Sequence, residues 1–147
     1  MNIPYFKQQK DYYCGSAVMQ MVLASFGIKK SQSTLARELK TKNDNIGTKN
    51  SEMVRLSRKY LANIKSKQKT TISELKKYLD KGSIIIVSYF YVLDKTGHFA
   101  IVKKITKSRI YLIDPATGPN TRYSLKHFKK IWHDNEKTRG WHLILKK

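Results

Sequence analysis

The spacing of apolar residues changes from a helical to a strand pattern at Gly82. Before Gly82 the apolar residues recur three and four positions apart, which is typical of helices; after it they form β-branched and aromatic runs bounded by turn residues. A set of helices followed by strands joined through short turns is typical of α+β domains. We therefore predict an α+β fold in which N-terminal helices pack on a C-terminal antiparallel sheet.

Four helices are predicted before Gly82. The first runs over 14–26, and both Gly27 and Gly82 occupy positions where a left-handed residue ends a helix. The polar, Asn-rich segment 42–50 is predicted to be a mobile loop. The expected first or capping residues of the helices are Cys14, Ser31 or Ser33, Ser51, and Thr71 with Glu74 in a capping box.

Strands are predicted over 84–92, 98–105, 109–113 and 141–145. A turn at 94–97 makes the first two a hairpin, and Ser124 caps a short helix before the last strand. No internal repeat, low-complexity block or linker divides the chain. We expect a single domain over 1–147.

The composition narrows the class of protein. Its 147 residues are 40% hydrophobic and 11% aromatic, which is enough to bury a core and excludes a disordered tail. A single cysteine excludes an internal disulfide, so reducing surroundings are expected. No apolar run approaches the roughly 20 residues of a membrane span, and the first ten residues lack the features of a secretory signal. If Met1 is the native start, a cytoplasmic protein is predicted.

The formal charge of +20 comes from 30 Lys and Arg against ten Asp and Glu. The basic residues are scattered over different predicted elements, and no helix-turn-helix, zinc-finger or RNP-like pattern accompanies them. The charge therefore does not favour a nucleic-acid binder. It is compatible with a solvated, Lys-rich surface or with attraction to an acidic partner.

Cys14 stands at the expected N-terminus of the first helix. Amides at a helix start and the helix dipole stabilise an anion there, and the thiolate is the reactive form of cysteine. A lone cysteine on an apolar helix is more often structural, so a nucleophile at this position needs a base nearby.

Two residues in the second half meet that need. His98 lies at the start of a predicted strand, and Asp114 ends the next one, so antiparallel pairing brings them together. His98 would act as the base for Cys14 and Asp114 would orient its ring. The alternatives are an ordinary turn histidine and an Asp-Pro turn initiator. The other three histidines have no spacing to Cys14 that resembles a zinc site.

These motifs resemble those of the C39 cysteine peptidases and C39-like proteins, a papain-like group. Four segments carry the resemblance in chain order and together span nearly the whole chain. They are 3–8 with 13–27, which holds the cysteine; 97–105, which holds the histidine; 109–118, which holds the aspartate; and 123–132, which matches the closing helix. One departure is Tyr13, where many members of the family have Asp.

The resemblance implies a papain-like fold and a cysteine endopeptidase that needs no cofactor or metal. It makes Cys14 the nucleophile, His98 the general base and later acid, and Asp114 the residue that orients His98. It also implies an oxyanion-hole glutamine six residues before the cysteine, which is Gln8 rather than Gln9.

The family also implies candidate substrates and partners. Its best-known members are peptidase domains of bacterial ABC exporters that remove leader peptides after a Gly-Gly pair from bacteriocin-like precursors. The expected substrate is a peptide or protein, with acidic leader peptides and an ABC exporter as candidate partners; an exporter link would hold the chain at the inner face of the membrane. A catalytically idle C39-like domain that binds peptide or exporter cargo is the alternative, and a basic binder of nucleic acid or anionic surfaces is a third.

Overall fold

The computed structural model describes residues 2–92, 95–134 and 138–146. In these ranges five helices accompany one six-stranded sheet with the strand order β1-β6-β2-β3-β4-β5, and every neighbouring pair is antiparallel. The helices are α1 (Cys14–Ser25), α2 (Gln32–Glu38), α3 (Asn50–Tyr60), α4 (Ile72–Asp80) and α5 (Leu125–Ile131). The strands are β1 (Asn63–Lys67), β2 (Ile84–Tyr91), β3 (Thr96–Ile105), β4 (Arg109–Asp114), β5 (Gly118–Ser124) and β6 (His142–Lys146).

The sheet divides the buried apolar residues into two clusters. Ile84 and Ile86 of β2 pack with α1, α2 and α3, whereas Ile85 and Val87 pack with α4 and α5. This division follows from the strand, because successive side chains point to opposite faces. The predicted α+β fold is confirmed, and the structure adds that helices cover both faces of the sheet.

The capping residues explain where several helices begin and end. Ser31, Thr71 and Ser124 each accept a hydrogen bond from the backbone N–H three residues on, and Gly27 and Gly82 have φ values of +83° and +84°. These predictions are confirmed. The third helix begins at Asn50 rather than Ser51, with no side-chain cap.

In the predicted capping box, only the Thr71 half is formed. The Glu74 carboxylate accepts hydrogen bonds from Lys67 Nζ and Thr70 Oγ1 instead. Glu74 therefore ties the start of α4 to β1.

The hairpin of β2 and β3 is confirmed, but β3 begins at Thr96, earlier than predicted. Thr96 and Gly97, expected in the turn, belong to β3 and pair with Tyr91 and Phe90. Asp94, the first residue of the predicted turn, lies outside the described residues. This shift sets which side chain faces His98, because each one-residue slip in register changes the cross-strand partner.

Two strands were not predicted, β1 and β5, and they form the two edges of the sheet. Both are polar, and neither contains a fully buried residue. Among the described residues, none of the helices combines the length and apolar character that crossing a membrane requires.

Candidate active site

The start of α1 presents Cys14 at the protein surface. Cys14 is half-buried and is the first residue of the helix. The next residue is Gly15, and Thr48 packs directly against it. A Cβ on Gly15 would lie 3.0 Å from the Thr48 side chain. Only glycine lets the segment before α3 approach the first turn of α1 this closely.

Strand pairing brings His98 and Asp114 into contact. His98 is the third residue of β3, Asp114 ends β4, and their side chains are 3% and 0% exposed. His98 Nε2 lies 2.8 Å from Asp114 Oδ1. The structure therefore brings His98 and Asp114 into contact, as the pairing of antiparallel strands predicted.

Asp114 also organises the turn that follows it. Its Oδ1 accepts the backbone N–H groups of Ala116 at 2.8 Å and Thr117 at 3.1 Å, while Oδ2 accepts the hydroxyl of Tyr89. The turn-initiator role and the contact with His98 thus coexist in one carboxylate. Because these groups bind both of its oxygens, the Asp114 side chain has a fixed orientation.

The surroundings favour an ion pair between the two residues. Burial opposes the charged form of His98, but hydrogen bonds with Asp114 and Cys14, together with the charges of both, raise its pKa to about 10. Burial likewise opposes ionised Asp114, but the hydrogen bond and charge of His98 and the hydrogen bond of Tyr89 lower its pKa overall. At neutral pH the pair is therefore an imidazolium and a carboxylate.

Cys14 and His98 line the same cleft, which has a volume of about 220 Å³. Because Asp114 occupies Nε2, the other ring nitrogen, Nδ1, is the one left to interact with the Cys14 sulfur. The cleft is lined by Asp11, Tyr12, Cys14, the five residues 43–47, Thr96, Gly97 and His98.

The polar segment 43–47 forms one wall of this cleft. Asp44 Oδ1 accepts the N–H groups of Ile46 and Gly47 at 3.0 and 2.8 Å, and Thr96 Oγ1 donates to the carbonyl of Asn45. The bond from Thr96 joins the segment to the start of β3, and Gly47 lies against the carbonyl of Tyr12, just before α1. The predicted loop is present, its mobility stays a prediction, and its place beside Cys14 was not foreseen.

Gln8 lies near the site, but its side chain is not among the groups that line the cleft. Its backbone N–H donates to the carbonyl of Pro115 at 2.9 Å, which fixes it beside the turn after Asp114. Its Nε2 donates to the carbonyls of Lys10 and Asp11 at 3.2 and 3.1 Å, and its buried Oε1 has no partner in the described part of the chain. Gln9, in contrast, is exposed and bonds through its backbone to Gln32.

Two tyrosines of β2 complete the surroundings of His98 and were missed by the sequence reasoning. The ring of Tyr91 stacks on the imidazole with centroids 4.9 Å apart, and that of Tyr89 meets it edge-on at 5.6 Å. Their alternate positions on a strand next to His98 are the signal that points to them.

A larger cavity, about 580 Å³, lies elsewhere and shares no lining residue with the cleft. It is bordered by Lys69, Lys129, Trp132 and Arg139, among others. Within the described ranges, no group of three or more His, Cys, Asp or Glu side chains is arranged to hold a metal ion.

Comparison with solved structures finds the same fold in several peptidases. A C39-like peptidase from Bacillus anthracis superposes with a TM-score of 0.82 at 15% identity, covering 99% of this chain and 95% of its own. A double glycine motif protease from an AMS/PCAT transporter, solved with its leader peptide, gives 0.77 at 19% identity, covering 99% and 93%. The peptidase domain of Streptococcus ComA, a bifunctional ABC transporter involved in quorum sensing, gives 0.72 at 20%, covering 98% and 100%.

These likenesses confirm the papain-like fold. Comparison with curated proteins finds no match. The Peptidase_C39 like family, however, matches residues 1–139, nearly the whole sequence. The chain therefore belongs to the Peptidase_C39 like family.

Proposed function

We propose that the chain is a cysteine endopeptidase in which Cys14 is the nucleophile, His98 transfers protons and Asp114 orients His98. One observation carries the proposal: His98 is buried between Cys14 and Asp114, with the Asp114 carboxylate 2.8 Å from Nε2. A histidine held in this way can stabilise a neighbouring thiolate and can later deliver its proton.

The proposed reaction begins with the Cys14 thiolate and the His98 imidazolium. The sulfur attacks the carbonyl carbon of the scissile peptide bond, forming a C–S bond and a tetrahedral oxyanion. The oxyanion collapses, the C–N bond breaks, and His98 gives its proton to the leaving amine. Water then attacks the thioester carbon while His98 takes a water proton. The C–S bond breaks, the acid product leaves, and the thiolate–imidazolium pair is restored.

The oxyanion needs hydrogen-bond donors. The backbone N–H of Cys14 lies at the helix start, where N–H groups have no partner within the helix. Gln8 is the proposed second donor. Its Nε2 bonds to the carbonyls of Lys10 and Asp11 in this structure, so the proposed role requires the amide to turn toward the substrate oxygen.

For the substrate, we propose a peptide with an acidic leader that ends in a double glycine. Two observations support this. The fold matches a double glycine motif protease solved with its leader peptide, and a charge of +20 attracts an acidic segment. The proposal includes an ABC exporter as partner, since structural relatives are peptidase domains of such transporters, and hence a cytoplasmic site of action.

Alkylation of Cys14 at pH 6 tests the proposed function without knowledge of the natural substrate. Since an ion-paired thiolate reacts at this pH and a neutral thiol hardly does, the wild type should be alkylated rapidly and His98→Ala slowly. His127→Ala, a histidine outside the site, is the control. Equal rates in wild type and His98→Ala would contradict the proposal.

A second measurement separates a peptidase from an idle binding domain. Wild-type protein is incubated with an acidic double-glycine leader peptide, and both binding and cleavage are followed. Cleavage supports the peptidase. Binding without cleavage, together with slow alkylation of Cys14, would instead identify a domain that holds cargo.

A further inference from the structure

Tyr89 is the largest fully buried side chain that contacts the candidate site. We propose that Tyr89 is a positioning residue, which holds Asp114 ionised and aimed at His98 and thereby sets the strength of the Cys14–His98 ion pair. This inference rests on the proposed cysteine peptidase function. It assigns no contact between Tyr89 and the substrate.

The position of Tyr89 follows from strand register. Tyr89 on β2 is the direct cross-strand partner of His98 on β3, and its ring meets the imidazole edge-on, with 86° between the ring planes. Its hydroxyl reaches past His98 and donates to Asp114 Oδ2. Tyr89 thus contacts both His98 and Asp114 from one backbone position.

The two oxygens of Asp114 have different partners. Oδ1 bonds to His98 Nε2 and accepts the two backbone N–H groups of the following turn. Oδ2 accepts a hydrogen bond from the hydroxyl of Tyr89. Asp114 is 0% exposed. Removal of the Tyr89 hydroxyl therefore leaves a buried, charged oxygen without this donor, which disfavours the ionised carboxylate.

Tyr89 is suited to remain a donor. Burial and the charge of Asp114 raise the pKa of its hydroxyl, so the phenol keeps its proton at any pH at which the protein works. Titratable groups approach Asp114 from each neighbouring element: Tyr5 from the N-terminal segment, Tyr89 from β2, His98 from β3, Tyr123 from β5 through Tyr89, and Cys14 from α1 through His98.

Tyr89→Phe is the decisive variant because it removes the hydroxyl and keeps the ring that packs against Phe128. In the full chain, the alkylation rate of Cys14 at pH 6 should fall about tenfold, the effect of one hydrogen bond to a charged group. At pH 9.5, where a free thiol also ionises, the rate should change little. The kcat for a cleaved peptide should fall with KM unchanged.

Tyr111→Phe is the matched control, since Tyr111 lies on the same strand as Asp114 and makes a cation–π contact with Lys104. Its alkylation profile should equal that of the wild type. A purely structural role of Tyr89 would lower the melting temperature and leave the pH profile in place. A Tyr89→Phe profile identical to wild type would therefore overturn the inference.

The Asp114→Asn background provides an independent check. Tyr89→Phe should have no additional effect on alkylation at pH 6 once the carboxylate is gone, and an undiminished tenfold loss there would contradict the inference. This pair also keeps the test possible if an orphaned carboxylate prevents the single variant from folding. If wild-type Cys14 reacts no faster than in His98→Ala, the proposed function fails; if only Tyr89→Phe lacks an effect, this inference alone fails.

Discussion

The two sides of the Cys14–His98 pair are held in different ways. On the buried side, strand register and four hydrogen bonds fix Asp114 against His98, and both are at most 3% exposed. On the open side, Cys14 and Gln8 are half-buried, and the wall 43–47 is held mainly by its own turn. The buried side can hold charge before a substrate arrives, while the open side is where contacts with the substrate remain to be made.

Removal of the nucleophile should give the largest effect on cleavage. Cys14→Ala is expected to lower kcat by a factor on the order of 10⁶, because no other group in the cleft can form the covalent intermediate. The buried side does not depend on the sulfur for its packing, so the melting temperature should change little. Cleavage is measured on a leader-type peptide by mass spectrometry.

Binding supplies the control for that variant. Cys14→Ala should retain its affinity for the same leader peptide, measured by calorimetry, since the thiol contributes chemistry rather than contact area. Cleavage at the wild-type rate would refute the assignment of Cys14 as nucleophile.

Replacement of Gln8 tests the proposed role of the open side in binding the oxyanion. Gln8→Ala should lower kcat by about 10²–10³, the usual cost of one oxyanion donor, with little change in the alkylation of Cys14. The two readouts separate because an oxyanion donor acts on the tetrahedral intermediate and not on the resting thiolate.

Gln9→Ala is the matched control because Gln9 is exposed and its contact with Gln32 uses the backbone N–H. A loss of activity in Gln9→Ala, with Gln8→Ala unaffected, would show that the assignment at this segment is wrong by one residue.

The fold was predictable where strands are buried and less so at the edges. The central strands β2, β3, β4 and β6 carry runs of apolar residues, so their pattern is visible in the sequence. The edge strands β1 and β5 face solvent and are polar, and β5 contains Pro119, which has no N–H to give to a neighbour. Only pairing with an inner strand reveals them.

The residues of the candidate site were also predictable only in part. Cys14, His98 and Asp114 stand at ends of elements, where chain order indicates proximity. The contacts of Tyr89 depend on hairpin register: a turn at 94–97 would have placed Leu93, not Tyr89, opposite His98. The turn within 43–47 is local, but its attachment to β3 uses a tertiary bond between Thr96 and Asn45, which no local pattern encodes.

The pH dependence of cleavage should report the buried side. The pKa of His98 is raised from its usual 6.5 to about 10, so the ion pair with Asp114 contributes its full stability below about pH 6.5 and loses it as pH rises through about 10. Above about pH 10, we expect kcat/KM to fall about tenfold per pH unit, because His98 loses the proton that it gives to the leaving amine.

The measurement is a profile of kcat/KM from pH 6 to 11, with circular dichroism at each pH to exclude unfolding. In Asp114→Asn the alkaline limb should move to lower pH, because the carboxylate that stabilises the imidazolium is absent. An unshifted limb in that variant would mean that the buried side does not control the proton on His98.

The smallest expected effect concerns the charge around the open side. The chain carries +20 overall, yet Asp11 and Asp44 line the cleft itself, so an acidic leader should be attracted to the surrounding surface rather than to the cleft. Its kcat/KM should fall several-fold between 0.01 and 0.15 M salt, as the Debye length shrinks from about 30 to about 8 Å. A charge-neutralised twin of the same peptide, assayed with the same enzyme preparation, should respond far less. Equal salt slopes for the two peptides would identify the charge as a solvated surface and remove the acidic leader from the proposal, while the roles of Cys14 and His98 would be unaffected.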